Sequence, residues 1–301
     1  MKKSLVYCLL AFAAVVWGIS FILTKELFRT EEHITVFIIL TFRLLLATAV
    51  TIPALLLFKK MERIRKGDLK WFLLLALFEP FIYSICETSG VQLVSGSMAS
   101  IVVATIPLFV PFGMAVAFKE KVRVVTLVGI VLSLVGLSVM LLPGGKENLD
   151  ANPVGLAWLF GAVLIAVFFT IVLVKLVGRY RPFTITAYQN LFGCLYFIPF
   201  MLVFNGESLP LLSYSGKMIV MLLVLGVFCS TLAYVCYNIG VARLGASPAC
   251  IFTNAIPVFS LIAAILIGQE QLTWSKPIGI AIVILGVVIA QLPERGKNSS
   301  K

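Results

Sequence analysis

Apolar residues run through this chain in long blocks, without the three- or four-residue rhythm of a surface helix. The blocks cover 4–24, 34–58, 70–92, 97–118, 122–142, 153–175, 183–204, 216–239, 247–268 and 274–292. A helix of about 20 residues crosses the roughly 30 Å hydrocarbon layer of a bilayer. The pattern therefore predicts an all-α integral membrane protein with ten transmembrane helices. Short polar turns join them, and almost nothing is left over for a soluble domain. Composition agrees, with 61% hydrophobic and only 12% charged residues and a mean hydropathy of +1.09. The first block follows the basic start "MKKS" but is longer than the apolar core of a typical secretory signal, so it reads as a retained helix.

Charge in the turns orients the helices, because cytoplasmic loops are the richer in lysine and arginine. With the N-terminus inside, the cytoplasmic side collects Lys59, Lys60, Arg63, Arg65, Lys66, Lys70, Lys119, Lys121, Arg123, Lys175, Arg179, Arg181 and Arg243. The outer side receives Lys25, Arg29, Lys146, Lys217 and Lys276. Both termini are thus expected in the cytoplasm of a cell-membrane protein, in a bacterium the inner membrane. A basic face against anionic lipid accounts for the net charge of +11 and leaves no reason to invoke nucleic acid. The six cysteines are scattered, with no metal, redox or disulfide spacing. Nothing calls for a cofactor.

Shifting the sequence by 150 positions lays "GVQLVSGSMASIVVATIPLF" (90–109) on "GVARLGASPACIFTNAIPVF" (240–259). Gly90 meets Gly240, Ser97 meets Ser247, Pro107 meets Pro257, Glu120 meets Glu270 and Gly136 meets Gly286. Each copy holds five helices, residues 1–147 and 148–301. An odd number sends the second copy into the membrane upside down. Inverted repeats are a construction of secondary transporters, whose two halves rock about a central site. Pro107 and Pro257 fall mid-span and predict kinks, for packing or for gating. Gly129 with Gly136 and Gly279 with Gly286 lie seven apart on one face, where close helix approach is possible within the chain or between copies.

"VVWGISFILTKEL", "LTFRLLLA", and twice an alanine- and serine-rich entry, a mid-helix proline, a loop glutamate and a glycine-spaced last helix, resemble the EamA-like branch of the drug/metabolite transporter superfamily. The resemblance covers essentially the whole chain. It implies two inverted five-helix repeats around a central cavity, with the fifth and tenth helices peripheral. It also implies carriage of small metabolites such as amino acids or nucleobases, often outward.

The chain departs from that pattern in "ALFEPFIYSICETSGVQL" (76–93), which places Glu79 and Glu87 within the third span. An acid at mid-membrane costs about 2.5–3.5 kcal/mol, so it turns toward a bundle interior or wet cavity and is expected to have a partner. Glu79, Tyr83 and Glu87 stand four apart and form one polar stripe; the equivalent positions in the second copy are Cys229, Ala233 and Tyr237. By depth, Glu87 lies roughly 8 Å from the outer helix end, Glu79 roughly 20 Å and Arg43 about 13 Å, which puts Arg43 nearer to Glu87. Paired, Glu87 would orient the site or bind a cationic group; unpaired, it becomes a candidate proton carrier. Trp17, Asn190, Tyr234, Asn238, Thr253 and Asn254 complete the candidate lining, with Thr105, Trp158 and Tyr188 as weaker members.

The leading reading is an alternating-access carrier of a small polar metabolite, such as an amino acid or related compound, with protons as a candidate coupling ion. A membrane enzyme would need a nucleophile with its base or metal ligands. The single histidine, His33, sits in a turn beside Glu31 and Glu32, and no phosphate loop or nucleophile elbow is present. A channel would need a selectivity filter, which nothing marks.

Overall fold

A computed structural model of the chain describes residues 2–119, 124–140, 152–269, 271 and 273–290. The apolar blocks become helices, and no strand occurs among the described residues. Small polar residues start several of them. Thr35, Ser95 and Ser215 accept from the backbone N–H three residues on, and Asn152 accepts from Val154 N. The order is α1 (Lys3–Thr30), α2 (Val36–Leu57), α3 (Leu69–Ala76), α4 (Tyr83–Leu93), α5 (Gly96–Val103), α6 (Ile106–Phe118), α7 (Val124–Met140), α8 (Pro153–Val177), α9 (Pro182–Asn205), α10 (Gly216–Leu223), α11 (Ala233–Leu244), α12 (Ala246–Cys250), α13 (Ile256–Leu266) and α14 (Ser275–Ala290).

Among the described residues eight stretches are long and apolar enough to cross a membrane, counting α3–α4, α5–α6, α10–α11 and α12–α13 as single interrupted rods. The two remaining expected spans are the shorter α7, of 17 residues, and α14, of 16. Several of the rods depart from straight helix. Wide π-type turns occupy Leu77–Ile82 and Val224–Leu232, in equivalent rods of the two copies. Pro107 and Pro257 begin α6 and α13 instead of kinking a continuous helix. The chain breaks just before each, at Ala104–Thr105 and in the tight 3-10 turn Ile251–Ala255. A proline lacks the N–H that a helix interior needs, whereas a helix start does not use it.

Packing follows the duplication. α1 lies against α11 and α13, while its counterpart α8 lies against α4 and α6; α2 meets α9, and α7 meets α14. Equivalent glycines seat equivalent neighbours. A Cβ on Gly90 would stand 2.5 Å from Leu159 Cγ of α8, and one on Gly240 would stand 2.4 Å from Leu10 Cδ2 of α1. At Gly136 a Cβ would lie 2.8 Å from Val283 N and 2.9 Å from Gly279 O, so this glycine lets α7 and α14 touch backbone to backbone within one chain.

Polar contacts tie the halves at both ends of the bundle. At one end Asp68, in the turn before α3, accepts from Arg179 Nη1 at 2.9 Å and from Tyr180 Oη at 2.8 Å. Burial first, with Asp68 behind it, raises the Tyr180 phenol above its ordinary pKa, which keeps it a donor. At the other end Glu26 takes Lys217 at 2.6 Å and Gln269 Nε2 at 2.8 Å, and Glu31 accepts from Ser213 and Ser215. Lys25 there donates to the carbonyls of Val91 and Gln92. Glu120, Glu270 and the junction between 147 and 148 lie outside the described residues.

Candidate functional site

The third rod loses helical geometry at Glu79, whose φ is −140° and ψ 119°. Pro80 follows and disfavours the helical region for its predecessor. The Glu79–Pro80 peptide is cis. The carboxylate of Glu79 is buried, with Oε1 accepting from Tyr234 Oη at 2.5 Å and Oε2 from Ser84 Oγ at 3.4 Å. Ser84 and Tyr234 are 150 positions apart, so one acid is held by equivalent residues of the two copies. One helical turn past Tyr83, Glu87 accepts from the Tyr83 phenol at 2.8 Å through Oε1.

Arg43 of α2 is also buried, and its Nε donates to Ser230 Oγ in the wide turn of the eighth span. No ion pair within 4 Å joins it to a carboxylate among the described residues. Depth along a straight helix put Arg43 nearer to Glu87 than to Glu79 and left their pairing open. Packing of α2 on Val224–Leu232 brings its Nε to a hydroxyl there. Close approach makes this possible, since a Cβ on Gly226 would stand 2.7 Å from Arg43 O. Asn190 reinforces the same junction by donating to Ser230 O at 3.2 Å and Thr231 Oγ1 at 3.3 Å.

These groups border a central cavity of about 70 Å³. Seven of the sequence-derived residues line it: Trp17, Arg43, Glu79, Tyr83, Glu87, Tyr234 and Thr253. Both halves contribute. Trp17 stacks edge-on to Tyr234 with ring centres 5.2 Å apart, and its Nε1 donates to Cys229 O at 3.3 Å. Behind Glu79 lies a side chamber of about 10 Å³, bordered by Arg43, Glu79, Ser84, Gln189, Asn190, Ser230 and Tyr234. That is room for roughly one water.

Asn190 thus borders the side chamber and not the central cavity. Asn238 lies elsewhere, donating to Thr186 Oγ1 at 3.0 Å. Asn254 is buried, and neither amide atom has a protein partner. Sequence reasoning passed over Ser84, Gln189, Ser230, Phe169 and Tyr237. The shift of 150 does pair Ser84 with Tyr234 and Glu87 with Tyr237, so the repeat held a signal for two of them. Among the described residues no group of histidine, cysteine or acidic side chains is arranged to hold a metal ion.

An uncharacterized transporter of Archaeoglobus fulgidus is 28% identical over 289 residues, covering 96% of this chain and 98% of the relative. The uncharacterized transporter YetK of Bacillus subtilis is 28% identical over 303 residues, covering 98% and 89%. A crystal structure at 18% identity superposes with a TM-score of 0.67 over 93% of this chain and 98% of the other, a likeness of fold. The model of the EamA-like transporter family matches twice, over residues 4–142 and 153–291. With eight membrane-length apolar stretches and that double match, the chain is a multi-pass membrane transporter and belongs to the EamA-like transporter family.

Proposed function

We propose that this transporter is an alternating-access carrier of a small polar metabolite, such as an amino acid or related compound, working as an exporter. The observation that carries the reading is the central cavity, where Arg43, Glu79 and Glu87 from the first copy face Tyr234, Tyr237 and Thr253 from the second. Buried charge gathered around an open space between two similar halves suits a site that each half can expose in turn.

The architecture behind this reading is ten spans, with α7 and α14 as the fifth and tenth, in copies 1–147 and 148–301. Contacts at the two ends support inversion. The end of α1 shares its end of the bundle with the turn before α10, whereas the end of α8, its counterpart, meets the turn before α3 at the opposite end. The basic turns 59–70 and 175–181 share that second end, which supports a cytoplasmic location for it and for both termini.

In the site, Tyr83, Tyr234, Trp17 and Thr253 shape the pocket and the two acids and Arg43 provide its charges. Asn190 holds the Arg43 junction and Asn238 braces the second copy through Thr186, while the buried, unpartnered amide of Asn254 serves transport and not stability. Protons are the candidate coupling ion, with Glu79 or Glu87 as carrier. The test is counterflow in liposomes: preloaded with one solute of a panel of amino acids, nucleobases and amines, they should accumulate the same labelled solute, saturably. Non-saturable flux of many solutes at once would replace the carrier by a pore.

A further inference from the structure

Three charged groups line the central cavity, two carboxylates and one guanidinium. Arg43 lines the same cavity as both carboxylates and makes an ion pair within 4 Å with neither among the described residues, so two acids share one guanidinium. Glu87 borders the central cavity alone and has no cation within 4 Å among the described residues. A buried carboxylate without a counter-charge is costly. The site is one positive charge short.

The geometry of Glu87 shows where that charge fits. An ionised carboxylate can accept about four hydrogen bonds. Glu87 accepts one, from Tyr83 into Oε1. Among the described residues no donor reaches its Oε2, and that atom is not one of the buried polar atoms left without a partner. The walls around it are aromatic. Trp17 stands 5.2 Å from Tyr234 and 5.5 Å from Tyr237, and Phe169 stands 6.4 Å from Tyr234, centre to centre. Ring faces attract ammonium groups, most strongly away from bulk water. A cavity of about 70 Å³ admits roughly five water-sized centres, which sets a small cargo.

We propose that this cavity takes a small organic ammonium ion, with its charged nitrogen at Glu87 Oε2 and its carbon part against Trp17, Tyr234 and Phe169. An anion would meet two carboxylates and a guanidinium whose Nε is already committed to Ser230. A neutral solute would leave the two carboxylates with one guanidinium between them. The rival is a proton on Glu87, which would fill the same deficit and turn the site neutral. The inference rests on the carrier reading for its purpose, not for its binding chemistry.

The experiment uses the full chain in detergent and four probes that share a four-carbon chain: butylammonium, 1-butanol, butyrate and 2-aminobutyrate. Thermal unfolding is followed against probe concentration. Butylammonium should raise the unfolding temperature saturably, 2-aminobutyrate should do so through the same nitrogen, and the alcohol and the acid should not. Glu87→Gln should weaken butylammonium roughly 10- to 100-fold, the scale of one hydrogen bond to a charged group. Should that variant unfold by itself, Trp17→Leu provides a second reading, with weakened response to butylammonium and an intact fold. An alcohol that matches the ammonium ion overturns the proposal in favour of a protonated Glu87, and stabilisation by butyrate alone overturns it in favour of Arg43. Absence of any butylammonium response also overturns it. Liposome counterflow is scored separately. Counterflow of an anion or neutral solute without ammonium binding removes the ammonium site and keeps the carrier, and ammonium binding without counterflow does the reverse.

Discussion

Asp68 joins the two halves at one end of the bundle through two bonds of different worth. Its Oδ1 takes Arg179 Nη1 at 2.9 Å, but the arginine side chain is 54% exposed. Such a pair is worth about 0.2–1 kcal/mol. Its Oδ2 takes the buried Tyr180 hydroxyl at 2.8 Å, and a sheltered hydrogen bond to a charged group is worth about 1.5–3 kcal/mol. Asp68 makes no side-chain cap on α3, so no helix-capping contribution is lost with it. Asp68→Ala should therefore destabilise by about 2–3 kcal/mol, most of it through Tyr180. Two double-mutant cycles in mixed micelles, with unfolding driven by denaturing detergent, separate the contributions. Asp68→Ala with Tyr180→Phe should show a coupling of about 1.5–3 kcal/mol that added salt barely changes. The phenylalanine keeps the ring on Phe72, at 5.0 Å, and the cycle cancels the Tyr180 contact to Arg65 N. Asp68→Ala with Arg179→Ala should give less than about 1 kcal/mol, shrinking in salt. A larger coupling in the arginine cycle, or strict additivity in the tyrosine one, refutes the reasoning.

Glu79→Gln and Glu87→Gln should each lower initial transport rates much more than the amount of protein in the membrane, and wild-type flux from both would remove the acids from the mechanism. Gly136→Leu should lower the unfolding temperature of the detergent-solubilised chain, because its side chain enters the Val283 and Gly279 backbone, whereas Gly178→Leu, with nothing within 4 Å, should not. Equal shifts would show that α7 and α14 are not in contact there. Asn254→Leu should leave stability unchanged or raise it, since a buried amide without partners costs about 1–3 kcal/mol, while transport falls. A stability loss of that size would mean the amide is satisfied after all.

The sequence alone determined the quantities that are sums along the chain. Apolar block length placed the helices to within a few residues, as with 34–58 against Val36–Leu57. The shift of 150 pairs Gly90 with Gly240, both of which admit a leucine of a neighbouring helix, and the stripe of Glu79, Tyr83 and Glu87 does face one cavity. Local period and hydropathy suffice for this, because bilayer thickness and the 3.6-residue turn act on each segment separately. The tertiary structure decided what depends on two segments at once. Arg43 meets Ser230 because α2 rests on a wide turn whose Gly226 lets the backbones close. Glu79 gains Tyr234 from 155 residues away because extended backbone at Glu79 lets the acid leave the line of its helix. Asn254 looked well placed by spacing from Pro257, yet it falls in the 3-10 turn that precedes α13 and its amide is buried off the cavity wall. A one-dimensional pattern fixes which face of a helix is polar, but the rotation of that face against a distant helix is set only when both pack.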